Sequence, residues 1–307
     1  MFTFPVSPED LFEERTRQFL KWGVPSAALE RVRARVRDTW SDAPGGWCYE
    51  FSAEADASER AGRLLEAAAL YGAARFPFAA TDARRAAHEK QLACFLRAHQ
   101  AGAFPVAFQR QVLATERGAV PVHLYARRAD AFTRREGAAA PPLLLVTGGV
   151  DTYKVELHRL AVALARLTGA LVCAFDMPGT GESPGPLSSD GERVHLGVID
   201  ALRAELSPPH VSLIGLSFGG HWAAKLALLG KVDCAVDVGG PVGATPLDAA
   251  FLRARAAQRH ARHQHDDGLV HDQRVGVSGV QACARCPGTD WPGRSTHRSR
   301  TRRRTRS

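Results

Sequence analysis

Apolar positions recur at two different periods along this 307-residue chain. Up to about residue 102 they fall three and four apart, the spacing of helices that bury one face. Ser7-Pro8-Glu9-Asp10 reads as a helix start with Phe12, Phe19 and Leu20 behind it. A second helix is expected over 26–40, with Leu29, Val32 and Val36 in phase, a third over 53–74, and a fourth opening at Thr81 and carrying Leu92, Phe95 and Leu96. From about Val106 the period shortens to two. Segments 106–114 and 120–127 alternate around Glu116-Arg117-Gly118, which predicts an antiparallel hairpin. Apolar strands at 143–147, 170–175, 211–214 and 234–238 then alternate with helices near 156–167, 191–205 and 220–229. That alternation predicts an α/β fold with a largely parallel sheet.

Candidate chemistry lies where these strands end. Gly215-Leu216-Ser217-Phe218-Gly219 fits the G-x-S-x-G nucleophile elbow and sits between a strand and a helix, the context the motif requires. The glycines remove side chains so that the turn can close and lift the serine hydroxyl into a pocket. Ser217 is the expected nucleophile, and the N–H of Phe218, next in the chain, is one expected oxyanion donor. Gly148-Gly149-Val150-Asp151 follows the strand at 143–147, where a hydrolase of this type supplies its second oxyanion N–H; Gly149 is the expected donor and Val150 the alternative. The glycine-rich run from Asp176 to Ser183 lacks the lysine and spacing of a phosphate-binding loop, so nucleotide binding is not expected. His221 lies one helical turn past Ser217, on a helix leading away from the elbow, and is assigned to packing rather than to proton transfer.

Three motifs in this order, T-G-G-V-D-T-Y-K-V-E from Thr147, D-M-P-G-T-G-E-S from Asp176 and G-L-S-F-G-G from Gly215, resemble those of the FrsA-like α/β-hydrolases. That group is related to dihydroxypseudooxynicotine hydrolase and to the polyketide-trimming and polyketide-cyclising hydrolases of fungal pigment and fusarin pathways. Gly23-Val24-Pro25, Trp40, Trp47, Phe76-Pro77-Phe78 and Ala86-Ala87-His88 resemble the family's N-terminal helical segment, which forms part of a lid. The resemblance covers about residues 10–250. It implies an α/β-hydrolase sheet with an N-terminal helical cap, Ser217 as nucleophile, and a cleft for a small-molecule ester or β-diketone in a secondary-metabolic pathway. No metal or organic cofactor is implied. In chain order such a site also needs an acid and then a histidine after the serine. No strand-held acid and no late G-x-x-H is found beyond residue 250, so the sheet is expected to be incomplete at its C-terminus and the rest of the triad to be absent. A binding protein that keeps the pocket without the triad is the alternative.

Charge sharpens this boundary. The formal net charge is +8, yet residues 253–307 hold 13 arginines, no lysine and 4 aspartates, a net of +9, which leaves 27 basic and 28 acidic residues in 1–252. The segment has a single leucine, Leu269, and no Ile, Phe, Met or Tyr, too little to build a core. A basic nucleic-acid-binding arm would fit the charge. The abrupt change of composition instead favours an out-of-frame reading of a GC-rich gene, and codons for His260-Ala261-Arg262-His263 shifted by one base can encode Met-Arg-Asp-Ile, close to the family's usual continuation. The expected organisation is therefore a helical cap over 1–102, a partial hydrolase core over 103–252 and a basic tail over 253–307. Asp266, Asp267, Asp272 and Asp290, like His260, His263, His265, His271 and His297, have no strand to hold them there. Cys283-x-x-Cys286 has no partner pair for a zinc site, and the remaining cysteines are expected as free thiols. No apolar run reaches the ~18 residues of a membrane span, and no signal peptide is evident. The expectation is a cytoplasmic protein with a small-molecule carbonyl substrate, no specific nucleic-acid partner and no membrane partner; a homodimer is left open.

Overall fold

The computed structural model describes residues 6–134, 137 and 139–241. The tail motifs, including Cys283-x-x-Cys286 and the late aspartates and histidines, lie outside the described residues. Five helices come first: α1 (Pro8–Trp22), α2 (Ser26–Arg35), α3 (Trp47–Arg60), α4 (Leu64–Arg75) and α5 (Asp82–Gln100). The Ser7 hydroxyl accepts from the Asp10 N–H at 3.1 Å and Thr81 does the same for Arg84 at 3.2 Å, so both expected starts carry a side-chain cap.

Two expectations fail here. The helix expected over 53–74 is two helices, because Gly62 adopts φ +75° and its N–H turns back to Glu59 O at 2.9 Å. The break is invisible in the pattern, since α4 is buried from Ala67 to Arg75 and an all-round apolar helix matches any phase. The helix expected over 26–40 stops at Arg35; Val36 is extended and the Arg37 N–H donates to Gly45 O across a loop. Phe12, Phe19, Trp47, Phe51 and Phe76 form the centre of this layer, with Phe12 and Trp47 centroids 4.6 Å apart. The Trp47 indole N–H, fully buried, donates to Ala73 O at 2.8 Å.

The strands β1 (Ala107–Thr115), β2 (Gly118–Ala126), β3 (Leu143–Thr147), β4 (Leu171–Phe175), β5 (Val211–Leu216) and β6 (Cys234–Val238) form one sheet in the order β1-β2-β4-β3-β5-β6. β1 and β2 pair antiparallel in the register Thr115↔Gly118, as the hairpin expectation requires, and β2 pairs antiparallel with β4. The four strands from β4 to β6 run parallel. Three further helices, α6 (His158–Thr168), α7 (Glu192–Leu206) and α8 (Phe218–Leu228), cross between them. One face of the sheet packs Tyr125, Val146 and Val172 against α6 and the N-terminal helices. The other packs Leu124, Leu145, Cys173 and Leu213 against α7 and α8. With both faces covered, β4 is buried at every residue. The loops after β3 and β4 and the turn after β5 leave the same, C-terminal edge of the parallel strands, where open α/β sheets place their ligands.

Candidate functional site

Ser217 stands between β5 and α8 at φ +53° and ψ −127°, a conformation that costs a residue with a side chain about 1–3 kcal/mol. The surroundings impose it. The Ser217 N–H donates to Val238 O on β6 at 2.9 Å, and its carbonyl accepts from the Gly220 N–H at 2.9 Å. A Cβ at position 215 would stand 2.0 Å from Gly219 O, and one at 219 would stand 2.4 Å from Gly148 O. The turn therefore closes only with glycine at both positions. Ser217 is exposed.

The loop after β3 comes to the same point. A Cβ on Gly149 would lie 2.8 Å from Ser217 Cβ, 2.9 Å from Ser217 Oγ and 3.2 Å from the Phe218 nitrogen. Gly149, Ser217 and the Phe218 N–H thus surround one small volume. Neither the Gly149 nor the Phe218 N–H has an acceptor among the described residues. Val150, next along, is 46% exposed. Ser217 Oγ has no hydrogen-bond partner among the described residues, and His221 is turned elsewhere: its Nδ1 lies 3.1 Å from Pro241 O, and its ring packs on Phe218 and Trp222. The described residues thus bring together Ser217, Phe218 and Gly149, without an acid or a histidine in contact with the serine.

Residues that sequence reasoning missed fasten this loop from beneath. Lys154, 1% exposed, donates from Nζ to Asp176 Oδ2 at 2.5 Å and from its backbone N–H to Asp176 Oδ1 at 2.6 Å. Lys154 Nζ also stands 2.8 Å from Glu182, whose other oxygen accepts from Arg110 at 2.7 Å. Burial opposes the charge on both members of the Lys154–Asp176 pair, but mutual attraction wins, so the lysine pKa is raised and the aspartate pKa lowered. On the helical side, Arg75 of α4 donates to Asp151 O at 3.0 Å and to Glu156 Oε1 at 2.6 Å. Its guanidinium lies 3.5 Å over the Tyr153 ring. The signal for part of this was present: Lys154 and Glu156 fall inside the first of the three motifs and Asp176 opens the second. The run from Asp176 to Glu182 wraps its own carboxylate, with the Glu182 N–H donating to Asp176 at 2.9 Å, rather than forming an open anion cradle.

A cavity of about 480 Å³ lies between the N-terminal helices and α6, lined by residues that include Leu65, Gln91, Phe95, Glu156 and His158. Ser217, Gly149 and Phe218 are not among its walls. No helix among the described residues is long and apolar enough to cross a membrane.

Residues 141–265 match the family model described as the alpha/beta hydrolase fold. Esterase FrsA of Vibrio cholerae serotype O1 is 27% identical over 258 residues, 74% of this chain and 60% of that protein. The chain has the α/β-hydrolase fold and is similar to the FrsA-like members of it. The FrsA-like chain is also 31% identical to Hydrolase acrC of Aspergillus aculeatus over 135 residues, which are 39% of this chain and 32% of that one. Among solved structures, AbyA5 superposes with a TM-score of 0.63 at 27% identity, covering 76% of this chain and 62% of its own. The chain therefore spans about three fifths of the length of the FrsA relative it matches.

Proposed function

We propose that this FrsA-like chain carries a serine-hydrolase site for a small molecule with an ester or β-diketone carbonyl. Ser217 Oγ attacks the carbonyl carbon, and the oxygen that becomes negative is met by the N–H groups of Phe218 and Gly149. The observation that carries the reading is the convergence of a strained, exposed Ser217 with the unpartnered N–H of Phe218 and a Gly149 in contact with both. Gly149 is preferred to Val150 because the close approach to the serine is its own. Donors held in place before the reaction lower its barrier because they need not reorganise as charge develops; loss of one such donor costs about 10²–10³ in rate. A histidine must still take the proton from Ser217, and no described histidine contacts it.

A second reading follows from one specific observation. Ser217 Oγ has no hydrogen-bonded base among the described residues, so a chain without a later acid and histidine keeps the pocket and binds carbonyl compounds without turning them over. Labelling with a fluorophosphonate, followed by peptide mapping and compared with Ser217→Ala, separates the two. Adduct on Ser217 together with p-nitrophenyl ester turnover lost in Ser217→Ala supports the hydrolase. Carbonyl-ligand binding with no adduct and no Ser217-dependent turnover supports the binding protein.

A further inference from the structure

The N-terminal helices do more than cover the sheet, because one of their fully buried charges, Arg75, is directed at the loop that carries Gly149. Arg75 and Glu156 are 0% and 1% exposed in their side chains and stand 2.6 Å apart. Three bonds converge on the glutamate: Arg75 Nη2 and, at 2.7 Å, Gln91 Nε2 both reach Oε1, while the Tyr153 N–H donates to Oε2 at 2.6 Å. Arg75 Nη2 reaches past it to Asp151 O at 3.0 Å. From α1, Arg15 lies 3.3 Å from the Asp151 carboxylate and Gln18 donates to Thr152 Oγ1 at 3.2 Å. The loop thus receives bonds from α1, α4 and α5 at Asp151, Thr152 and Glu156, shortly after Gly149, and Arg75 also lies over the Tyr153 ring. Even the backbone of α4 is adapted to this, since a Cβ on Gly72 would stand 2.5 Å from Gln91 Nε2 and 2.8 Å from Glu156 Oε1.

A buried ion pair is a poor device for stability, because desolvation of both charges offsets most of their attraction and apolar replacements are often neutral. What a charged, multiply bonded pair does supply is direction. The guanidinium is planar and fixes its acceptors at defined angles. Here one acceptor is a backbone carbonyl two residues from Gly149, and the bound glutamate in turn holds a backbone N–H four residues from it. Burial opposes the arginine's charge, but Glu156, Tyr153 and Asp151 outweigh it, so Arg75 stays cationic and its pKa is raised.

We propose that Arg75, acting through Glu156 and Asp151 O, is the positioning residue that sets the Gly149 N–H against Ser217, so that the helical segment builds half of the oxyanion hole. This rests on the serine-hydrolase reading. The position of an oxyanion donor matters at the scale of a few tenths of an ångström, because its bond must form to the tetrahedral oxygen rather than to the ground-state carbonyl. Loss of the clamp therefore affects the bond-forming step more than the preceding encounter.

The test uses the full chain and four variants: Arg75→Met, Arg75→Lys, Glu156→Gln and the double variant Arg75→Met/Glu156→Leu. Fluorophosphonate labelling of Ser217 gives a binding constant and a maximal rate separately, while amide hydrogen exchange is followed over residues 148–157. Single variants that leave one buried group unpaired lose stability for that reason alone. The double variant removes both charges, leaving only the Tyr153 N–H and Gln91 without their acceptor, so it recovers most of the lost stability and a purely structural role predicts largely recovered labelling with it. The proposal predicts otherwise: the double variant melts near the wild type, labels at least tenfold more slowly at saturation with its binding constant within about twofold, and exchanges the 148–157 amides faster. Arg75→Lys, which can reach Glu156 but not Asp151 O as well, falls between. Labelling of the double variant at the wild-type rate overturns the proposal. If the wild type itself is not labelled at Ser217, the serine reading fails, and unchanged exchange over 148–157 in Arg75→Met then overturns the clamp on its own terms.

Discussion

Acid should loosen this protein well before its carboxylates titrate, and His195 makes the effect measurable. The side chain is fully buried between α7, β4 and α8, its ring 5.1 Å from Phe175 and 5.5 Å from Trp222. Nδ1 lies 3.3 Å from Gly191 O and Nε2 has no partner among the described residues. Burial pushes the pKa from 6.5 down to about 4, with only a small counter-pull from Gly191 O and Glu192. Because the folded pKa lies below the unfolded one, the unfolded chain binds more protons between the two values. Stability is thus flat above pH 6.5 and falls as the pH drops from there toward 4. At pH 5 a shift of this size corresponds to about 2 kcal/mol for this one residue. The carboxylates with lowered pKa, among them Asp176 and Glu182, keep their contribution until the pH falls below their ordinary range near 4, so the two windows separate. Urea unfolding followed by tryptophan fluorescence, at pH 7.5 and pH 5, on wild type and His195→Leu, reads the effect directly. The wild type should lose about 2 kcal/mol more than the variant between the two pH values. An equal loss in both proteins would show that His195 is solvated or partnered in the folded state and would refute the reasoning.

Other perturbations have equally defined outcomes. Gly149→Ala places a methyl 2.9 Å from Ser217 Oγ, so labelling of Ser217 should fall at least a hundredfold while unfolding free energy drops by about 1–3 kcal/mol, and an unimpaired labelling rate would remove Gly149 from the site. Ser217→Ala deletes one exposed oxygen and should change the melting temperature little while abolishing any ester turnover; retained turnover would rule the serine out. Lys154→Met strands the buried Asp176 carboxylate and should cost about 3–5 kcal/mol by denaturant titration, with a cost under 1 kcal/mol contradicting the pairing. Removing residues 1–102 uncovers Tyr125, Val146 and Val172, so the remaining chain should aggregate in sedimentation analysis; a soluble, labelled fragment would contradict the packing.

The elements that organise the sheet were legible because their signal is local and periodic. The hairpin at Glu116-Arg117-Gly118, the apolar runs of β3, β4 and β5, and the strand–turn–helix frame of the elbow all follow from spacing within about fifteen residues. The placement of Gly149, Ser217 and Phe218 at the strand ends followed from the same local reading. The break between α3 and α4 did not, since a helix buried on all sides has no polar face to mark its phase. Least legible were the buried charges. Arg75, Lys154 and Glu156 are residue types that usually sit in water; Lys154 and Glu156 fall inside a motif, but no periodicity marks any of the three as buried. Arg75 and Glu156 are 81 residues apart, so only the folded chain reveals that one was retained to meet the other.

The bond from the Ser217 N–H to Val238 O has a consequence for how long the elbow keeps its shape. β6 lies at the end of the sheet among the described residues, and Val236 and Val238 are exposed on it. The strained serine thus draws one of its restraints from β6 rather than from β3 or β4. Local opening of β6 would release that restraint without unfolding the rest of the sheet, so the lifetime of this serine conformation is tied to the pairing of β5 with β6.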